Sequence, residues 1–220
     1  MMNSGEVARL IDHSLLKPDA TEADIKRLCR EAVRCGFYSV CVNPHFIQTA
    51  KQALSGSGVK VVTVIGFPLG MNLASAKVYE AMQAGLLGAD ELDVVINIGR
   101  AKSGDWQTVQ RDLRGVILVT EGLLHKAIIE CCYLTNKEKA KAVEVCLEAG
   151  ADFIKTSTGF GTGGATVEDV RLIKKVLGES PAGIKAAGGI KTLRDVMEMV
   201  EAGATRIGTS NGVSIIREAK

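Results

Sequence analysis

No stretch of the 220 residues approaches the run of ~20 apolar residues that a membrane-spanning helix needs, so a membrane partner is not expected. The N-terminal MMNSGEVARLIDHS lacks the apolar core of a secretory leader, and the expected compartment is the cytoplasm. No long basic run accompanies the formal net charge of +2, which argues against a nucleic-acid partner. None of the six cysteines, Cys29, Cys35, Cys41, Cys131, Cys132 and Cys146, forms a C-x-x-C pair, and a chain of this length does not need disulfide staples. Cys131 and Cys132 fall at the end of an apolar run read as a strand, where neighbours face opposite ways and make a poor pair for one metal. His13, His45 and His125 lie far apart, without H-x-x-x-H spacing. A protein-bound metal is not expected. A G-x-x-x-x-G-K-[ST] phosphate loop is also missing.

What is present is ordinary globular composition, 46% hydrophobic and 24% charged, in a length that suits one domain spanning 1–220. A unit repeats along it. Amphipathic stretches end in glycine and a short apolar run follows: REAVRCG before FYSVCV, QAGLLGAD before ELDVVINI, VCLEAGAD before FIKTS, MVEAGAT before RIGTS. The glycine is the left-handed residue that ends a helix. Helix starts show as capping-box spacings at Thr21–Asp24, Thr135–Glu138, Thr166–Asp169 and Thr192–Asp195. Strands are expected near 9–14, 37–42, 59–66, 91–97, 125–132, 151–156, 182–187 and 205–209, with the first the weakest. Strands alternating with helices imply parallel pairing through right-handed crossovers. A closed (β/α)8 TIM barrel and an open doubly wound sheet both fit. The barrel is favoured because polar and glycine-rich residues recur after nearly every strand, and in a barrel those ends meet at one face.

The strand ends then carry the chemistry. Lys155 and Lys185 occupy successive strands, which lie about 4.8 Å apart in a sheet. Burial and a neighbouring cation both disfavour a charged amine, and an amine neutral near pH 7 can attack a carbonyl to form a Schiff base. The plainer reading is a pair of lysines that reach solvent or pair with carboxylates. Asp93 interrupts the apolar ELDVVIN, as a proton-transfer group, a water-positioning group or a salt-bridge partner of the lysines. Asp12 is read as a structural partner in the barrel mouth, and Cys41 as a small buried apolar residue.

Glycine-rich loops follow the last three strands: GFGTGG at 159–164, AGG at 187–189 and GTSNG at 208–212. Their backbone N–H groups make a phosphate site, in the place where barrels often carry one. GFGTGG also matches the dinucleotide pattern G-x-G-x-x-G between a strand and a helix. That reading is disfavoured, since Lys185 stands on the next strand where a ribose-binding acid would be needed.

With these residues placed, the sequence resembles deoxyribose-phosphate aldolases of the short bacterial form. The resemblance runs almost end to end, through IDHSLLKP, SVCVNP, IGFPLG, ELDVVINIG, FIKTSTGFGTGGAT, GIKAAGGIKT and RIGTSNG. It implies a class I aldolase on a TIM barrel. Such an enzyme cleaves 2-deoxy-D-ribose 5-phosphate reversibly into D-glyceraldehyde 3-phosphate and acetaldehyde, without cofactor or metal. It further implies Lys155 as the Schiff-base lysine, Asp93 and Lys185 as the proton donor and acceptor, and Gly159, Gly188, Gly189, Gly208 and Ser210 as phosphate ligands. Homo-oligomers are common among such barrels. Two positions depart from the family pattern: Asn211 follows Ser210 where two serines are frequent, and Phe160 stands where longer relatives carry a lysine. The second change points to a phosphate site built mainly from backbone dipoles. Two other readings compete: a Schiff-base aldolase with another acceptor, such as a transaldolase-like enzyme, and a sugar-phosphate-binding protein without turnover.

Overall fold

The structure is a computed structural model, and it describes residues 2–219. Eight strands form in chain order: β1 (Ile11–Leu15), β2 (Ser39–Val42), β3 (Lys60–Ile65), β4 (Glu91–Val95), β5 (Leu124–Ile128), β6 (Phe153–Lys155), β7 (Gly183–Ala187) and β8 (Arg206–Thr209). Each pairs in parallel with the next, and β8 returns to β1, so the sheet closes into a barrel with helices outside. The doubly wound alternative is set aside by that closure. Among the described residues no helix is long and apolar enough to cross a membrane.

Local chemistry accounts for the element boundaries. Thr21, Thr135 and Thr192 form complete capping boxes with Asp24, Glu138 and Asp195. Thr166 caps its helix by accepting the Asp169 N–H, but the Asp169 carboxylate turns instead to Lys139, 2.5 Å away. Gly36, Gly150 and Gly203 end their helices in the left-handed conformation, which glycine adopts without a Cβ penalty.

The strands divide their side chains between two environments. Leu92, Val94, Ala127, Ile154, Ile184, Ala186 and Ile207 pack outward against helix residues such as Ile25, Leu113, Ile173 and Val196 in one continuous apolar layer. Each Leu, Ile or Val side chain among them contributes about 1.5–3 kcal/mol on burial. The inward positions are unusual for a barrel, whose interior is normally filled by branched aliphatic residues. Here Glu91 and Asp93 of β4, Lys126 of β5, Lys155, Lys185 and Arg206 are buried charges.

Two expectations need correction. The fifth strand stops at Ile128, and Cys131–Tyr133 form a turn of 3₁₀ helix. Cys131 and Cys132 therefore lie in that turn, the first buried and the second partly exposed, and not on a strand. The first strand runs 11–15, which puts Asp12 near its beginning, deeper than the mouth.

Candidate active site

The register of β6 and β7 sets Lys155 directly beside Lys185. Lys155 ends its strand, whereas β7 continues two residues past Lys185 to Ala187. Both amines donate to the same atom, Oδ2 of Asp93, at 2.7 Å each. The other Asp93 oxygen accepts from Lys126 at 2.9 Å. Below this layer Lys185 reaches Asp12 at 2.5 Å, and Asp12 also accepts from Ser39 at 2.6 Å and Arg206 at 3.0 Å. Glu91 closes the lattice between Lys126 at 2.5 Å and Arg206 at 3.2 Å. Asp12 is thus a structural partner, as expected, but of Lys185 and Arg206 beneath the mouth. Cys41 packs with Val62 and Val64, and burial pushes its thiol up from the ordinary range.

The balance of this lattice matters. Four basic side chains, Lys126, Lys155, Lys185 and Arg206, face three carboxylates, Asp12, Glu91 and Asp93. A buried unpaired charge is costly, so the surplus cation is under pressure to lose its proton. Burial pulls the Lys155 amine below the ordinary lysine range; the Asp93 carboxylate opposes this and the Lys185 charge adds to it. Lys185 goes the other way. Burial disfavours its charge, but Asp12 and Asp93 outweigh burial and hold it above the ordinary range. Asp93, although buried, is held well below the usual carboxylate range by Lys126, Lys155 and Lys185.

Above the lattice opens a cavity of ≈ 380 Å³, and of the lysine pair only Lys155 lines it. Gly159, Gly188, Gly189, Gly208 and Ser210 line the same cavity. Among the described residues the backbone N–H groups of Gly159, Gly188, Gly189 and Ser210 have no hydrogen-bond acceptor. The Asn211 N–H is taken by Thr209 Oγ1 at 2.9 Å. Close backbone approach explains why these loops need glycine: a Cβ on Gly164 would lie 2.2 Å from the Gly188 carbonyl oxygen. Gly208 differs from the rest, since a Cβ there would come within 3.0 Å of Lys185 Cε. Any side chain at 208 therefore disturbs the lysine lattice as well as the loop. Phe160 is half exposed and packs edge-on against Phe67, with ring centroids 5.3 Å apart. The exposed Lys17 and Lys191 also line the cavity, so cations stand at its rim despite Phe160. Among the described residues no group of three or more His, Cys, Asp or Glu side chains is arranged to hold a metal ion.

Lys126, Glu91 and Arg206 escaped the sequence reading. Their signals were present but weak: Glu91 is two residues from Asp93 on the same face, and Lys126 and Arg206 are single charges in apolar strands.

A closed (β/α)8 barrel, with a buried amine of lowered basicity under a cavity of unused backbone N–H groups, has the chemistry to attack a carbonyl compound and to hold an anion beside it. The family model described as DeoC/LacD family aldolase matches residues 7–219, and the chain belongs to that family. It is an aldolase, a carbon–carbon lyase. The chain is 57% identical over 219 residues to a deoxyribose-phosphate aldolase of Thermococcus gammatolerans, covering 98% of this chain and 97% of that one. A deoxyribose-phosphate aldolase of Carboxydothermus hydrogenoformans is 55% identical over 221 residues, covering 99% and 96%. Among solved structures, the tetrameric deoxyribose phosphate aldolase from Aeropyrum pernix superposes with a TM-score of 0.91 at 35% identity, over 97% of this chain and 91% of that one.

Proposed function

We propose that this aldolase cleaves 2-deoxy-D-ribose 5-phosphate reversibly into D-glyceraldehyde 3-phosphate and acetaldehyde through an imine on Lys155. The observation that carries this reading is the position of Lys155: its amine is the surplus cation of a buried lattice and it meets the cavity. A lowered proton affinity supplies the neutral nucleophile that attack on the C1 aldehyde requires. Addition gives a carbinolamine, and loss of water gives a protonated imine. The bond that then breaks is C2–C3, because acetaldehyde carries two carbons. Its electron pair flows into the iminium to leave an enamine, while the C3 hydroxyl loses its proton and becomes the aldehyde of glyceraldehyde 3-phosphate. Protonation of the enamine at C2 and hydrolysis release acetaldehyde and restore the amine.

Lys185 and Asp93 serve this sequence in different ways. Asp93, held anionic by three lysines, orients the amine and links it to Lys185. Lys185, held charged, keeps the Lys155 amine depressed and supplies the proton store of the relay. Positioned acid–base groups typically contribute 10²–10⁴-fold. The unused N–H groups of Gly159, Gly188, Gly189 and Ser210 donate to the phosphate oxygens, with the Gly208 backbone beside them and Lys17 and Lys191 adding charge at the rim.

The cytoplasm is the proposed compartment; its reducing conditions suit a thiol, Cys41, buried in the barrel close to the lysines. The proposed assembly is a homo-oligomer. Tyr79, Met82 and Leu86 follow one helix face and are 62%, 39% and 76% exposed, and Leu118 on the adjoining helix is 63% exposed.

The decisive experiment treats the protein with acetaldehyde and borohydride and maps the reduced adduct by peptide mass, with product analysis on deoxyribose phosphate alongside. Ethylation of Lys155 and release of both aldehydes are expected. An adduct on another lysine, with Lys155 unmodified, overturns the assignment. A different pair of products points to a transaldolase-like acceptor instead.

A further inference from the structure

Glu130 is the only non-glycine residue with a positive φ among the described residues, at φ 50 and ψ 68. Its side chain is buried, and it belongs neither to the lysine lattice nor to the cavity that Lys155 lines. A left-handed backbone disfavours a residue with a Cβ, so something must repay holding it there. Its flanking residues continue the pairing with the lysine strand: the Ile129 N–H donates to the Lys155 carbonyl at 3.0 Å, and the Cys131 N–H to the Thr156 carbonyl at 2.9 Å. Between those two anchors the left-handed turn throws the Glu130 carboxylate toward the loop that follows Lys155. There Oε1 accepts the Thr158 N–H at 3.1 Å and Oε2 accepts the Thr158 hydroxyl in a very short contact. The Thr158 Oγ1 in turn accepts the Phe160 N–H at 3.0 Å. The loop also packs tightly on this turn. A Cβ on Gly161 would lie 2.8 Å from Cys132 Sγ and 3.3 Å from the Glu130 carboxyl carbon.

This clasp consumes the N–H groups on either side of Gly159 and leaves the Gly159 N–H alone without an acceptor, in a residue that lines the cavity. We infer that Glu130 is a positioning residue for anion recognition: it locks Thr158 and Phe160 so that the Gly159 N–H is presented to the substrate phosphate. A carboxylate so near a phosphate loop would repel the ligand if it were free. Here the carboxylate is turned onto the Thr158 N–H and hydroxyl and does not line the cavity, and the fixed N–H is the gain. The inference rests on the proposed reading that this mouth takes a sugar phosphate.

Three variants test it. Glu130→Gly removes the clasp while relieving the positive φ. Glu130→Gln keeps the size but replaces one of the two oxygens that hold Thr158 by an NH2 group, which cannot accept. Thr158→Val removes the hydroxyl from the other side. Each is checked by thermal melting. Cleavage of deoxyribose 5-phosphate and of unphosphorylated deoxyribose is then measured, with inorganic phosphate as an inhibitor. In Glu130→Gly the ratio of kcat/KM between the two substrates should fall about tenfold, the scale of one hydrogen bond to a charged group, chiefly through a higher KM for the phosphorylated one. Inhibition by inorganic phosphate should weaken by a similar factor. Glu130→Gln should restore part of both, and Thr158→Val should add little to Glu130→Gly when combined. An unchanged substrate ratio in folded variants, or an equal loss on both substrates, overturns the positioning role. A wild-type enzyme that shows no preference for the phosphorylated substrate overturns the proposed function itself, and so separates the two failures.

Discussion

Replacing Lys185 by leucine and Asp93 by asparagine should move the reactivity of Lys155 in opposite directions along the pH axis. Asp93 holds both lysine amines at one atom. The Lys155 and Lys185 nitrogens each lie 2.7 Å from Oδ2 of Asp93, so they are no further apart than twice that distance. At roughly 5 Å and an effective dielectric constant of about 20, two unit charges repel by about 3 kcal/mol, on the order of a hundredfold in the ratio of neutral to charged amine. Lys185→Leu removes that repulsion and leaves Asp93 freer to hold a proton on Lys155. Imine formation then needs a more alkaline solution. Asp93→Asn removes the attraction and leaves Lys155 among cations, so the imine forms in more acid solution than in the wild type. Turnover should fall in both variants, since each breaks the proposed relay. Breaking a buried pair costs about 3–5 kcal/mol, so both variants must first be shown to be folded by thermal melting. The assay is borohydride trapping with acetaldehyde across pH, run beside the cleavage rate. Opposite displacements of the trapping profile are the signature of electrostatic control. Displacement of both profiles in one direction, or of neither, would refute the charge-balance account of Lys155.

Gly189, at φ +80 with open space where a Cβ would project, offers a cleaner probe of the proposed phosphate site than Gly208, whose Cβ would press on Lys185. Gly189→Asn and Gly189→Asp share shape and tolerance for positive φ, so the aspartate variant should raise KM for deoxyribose phosphate several-fold over the asparagine variant, with unphosphorylated deoxyribose unaffected by the difference; equal constants would remove the phosphate from this loop. Away from the site, Lys77 is fully buried and donates to Asp112 at 2.5 Å and to the Val95 carbonyl at 2.9 Å. Lys77→Met should lower stability by about 3–5 kcal/mol, or roughly 10 °C in Tm, because it strands a buried carboxylate. Adding Asp112→Leu should recover most of that loss in a thermal melt, and failure to recover would show that packing rather than charge holds this contact.

The order of elements was legible in the chain because its causes are local. A threonine three residues before an acidic side chain starts a helix wherever it stands, and glycines such as Gly36, Gly150 and Gly203 end one because only the backbone conformation is at issue. The pairing of Lys155 with Lys185 was nearly as visible, since successive parallel strands usually lie side by side and in a closed barrel always do. The extents of the strands were less so. Apolar character runs on past Ile128 into IECC, yet the chain turns at Glu130, where a carboxylate finds Thr158 across the barrel rim. No local pattern announces a glutamate in a left-handed conformation. Closure of the sheet, too, depends on β8 meeting β1, which is a contact between the two ends of the chain.

What the tertiary structure alone decided is how the proton affinities of the site are shifted. Asp12 and Arg206 are 194 residues apart in the chain, and Arg206 and Glu91 are 115 apart, yet these groups share one buried lattice with the three lysines. A proton affinity is set by every charge within a few ångströms and by the water that burial removes, and neither is a property of neighbouring letters. The sequence by itself determined that two lysines would stand together under glycine loops. Only the folded barrel, by setting four cations against three buried carboxylates, decided which of the two has its basicity lowered and which has it raised.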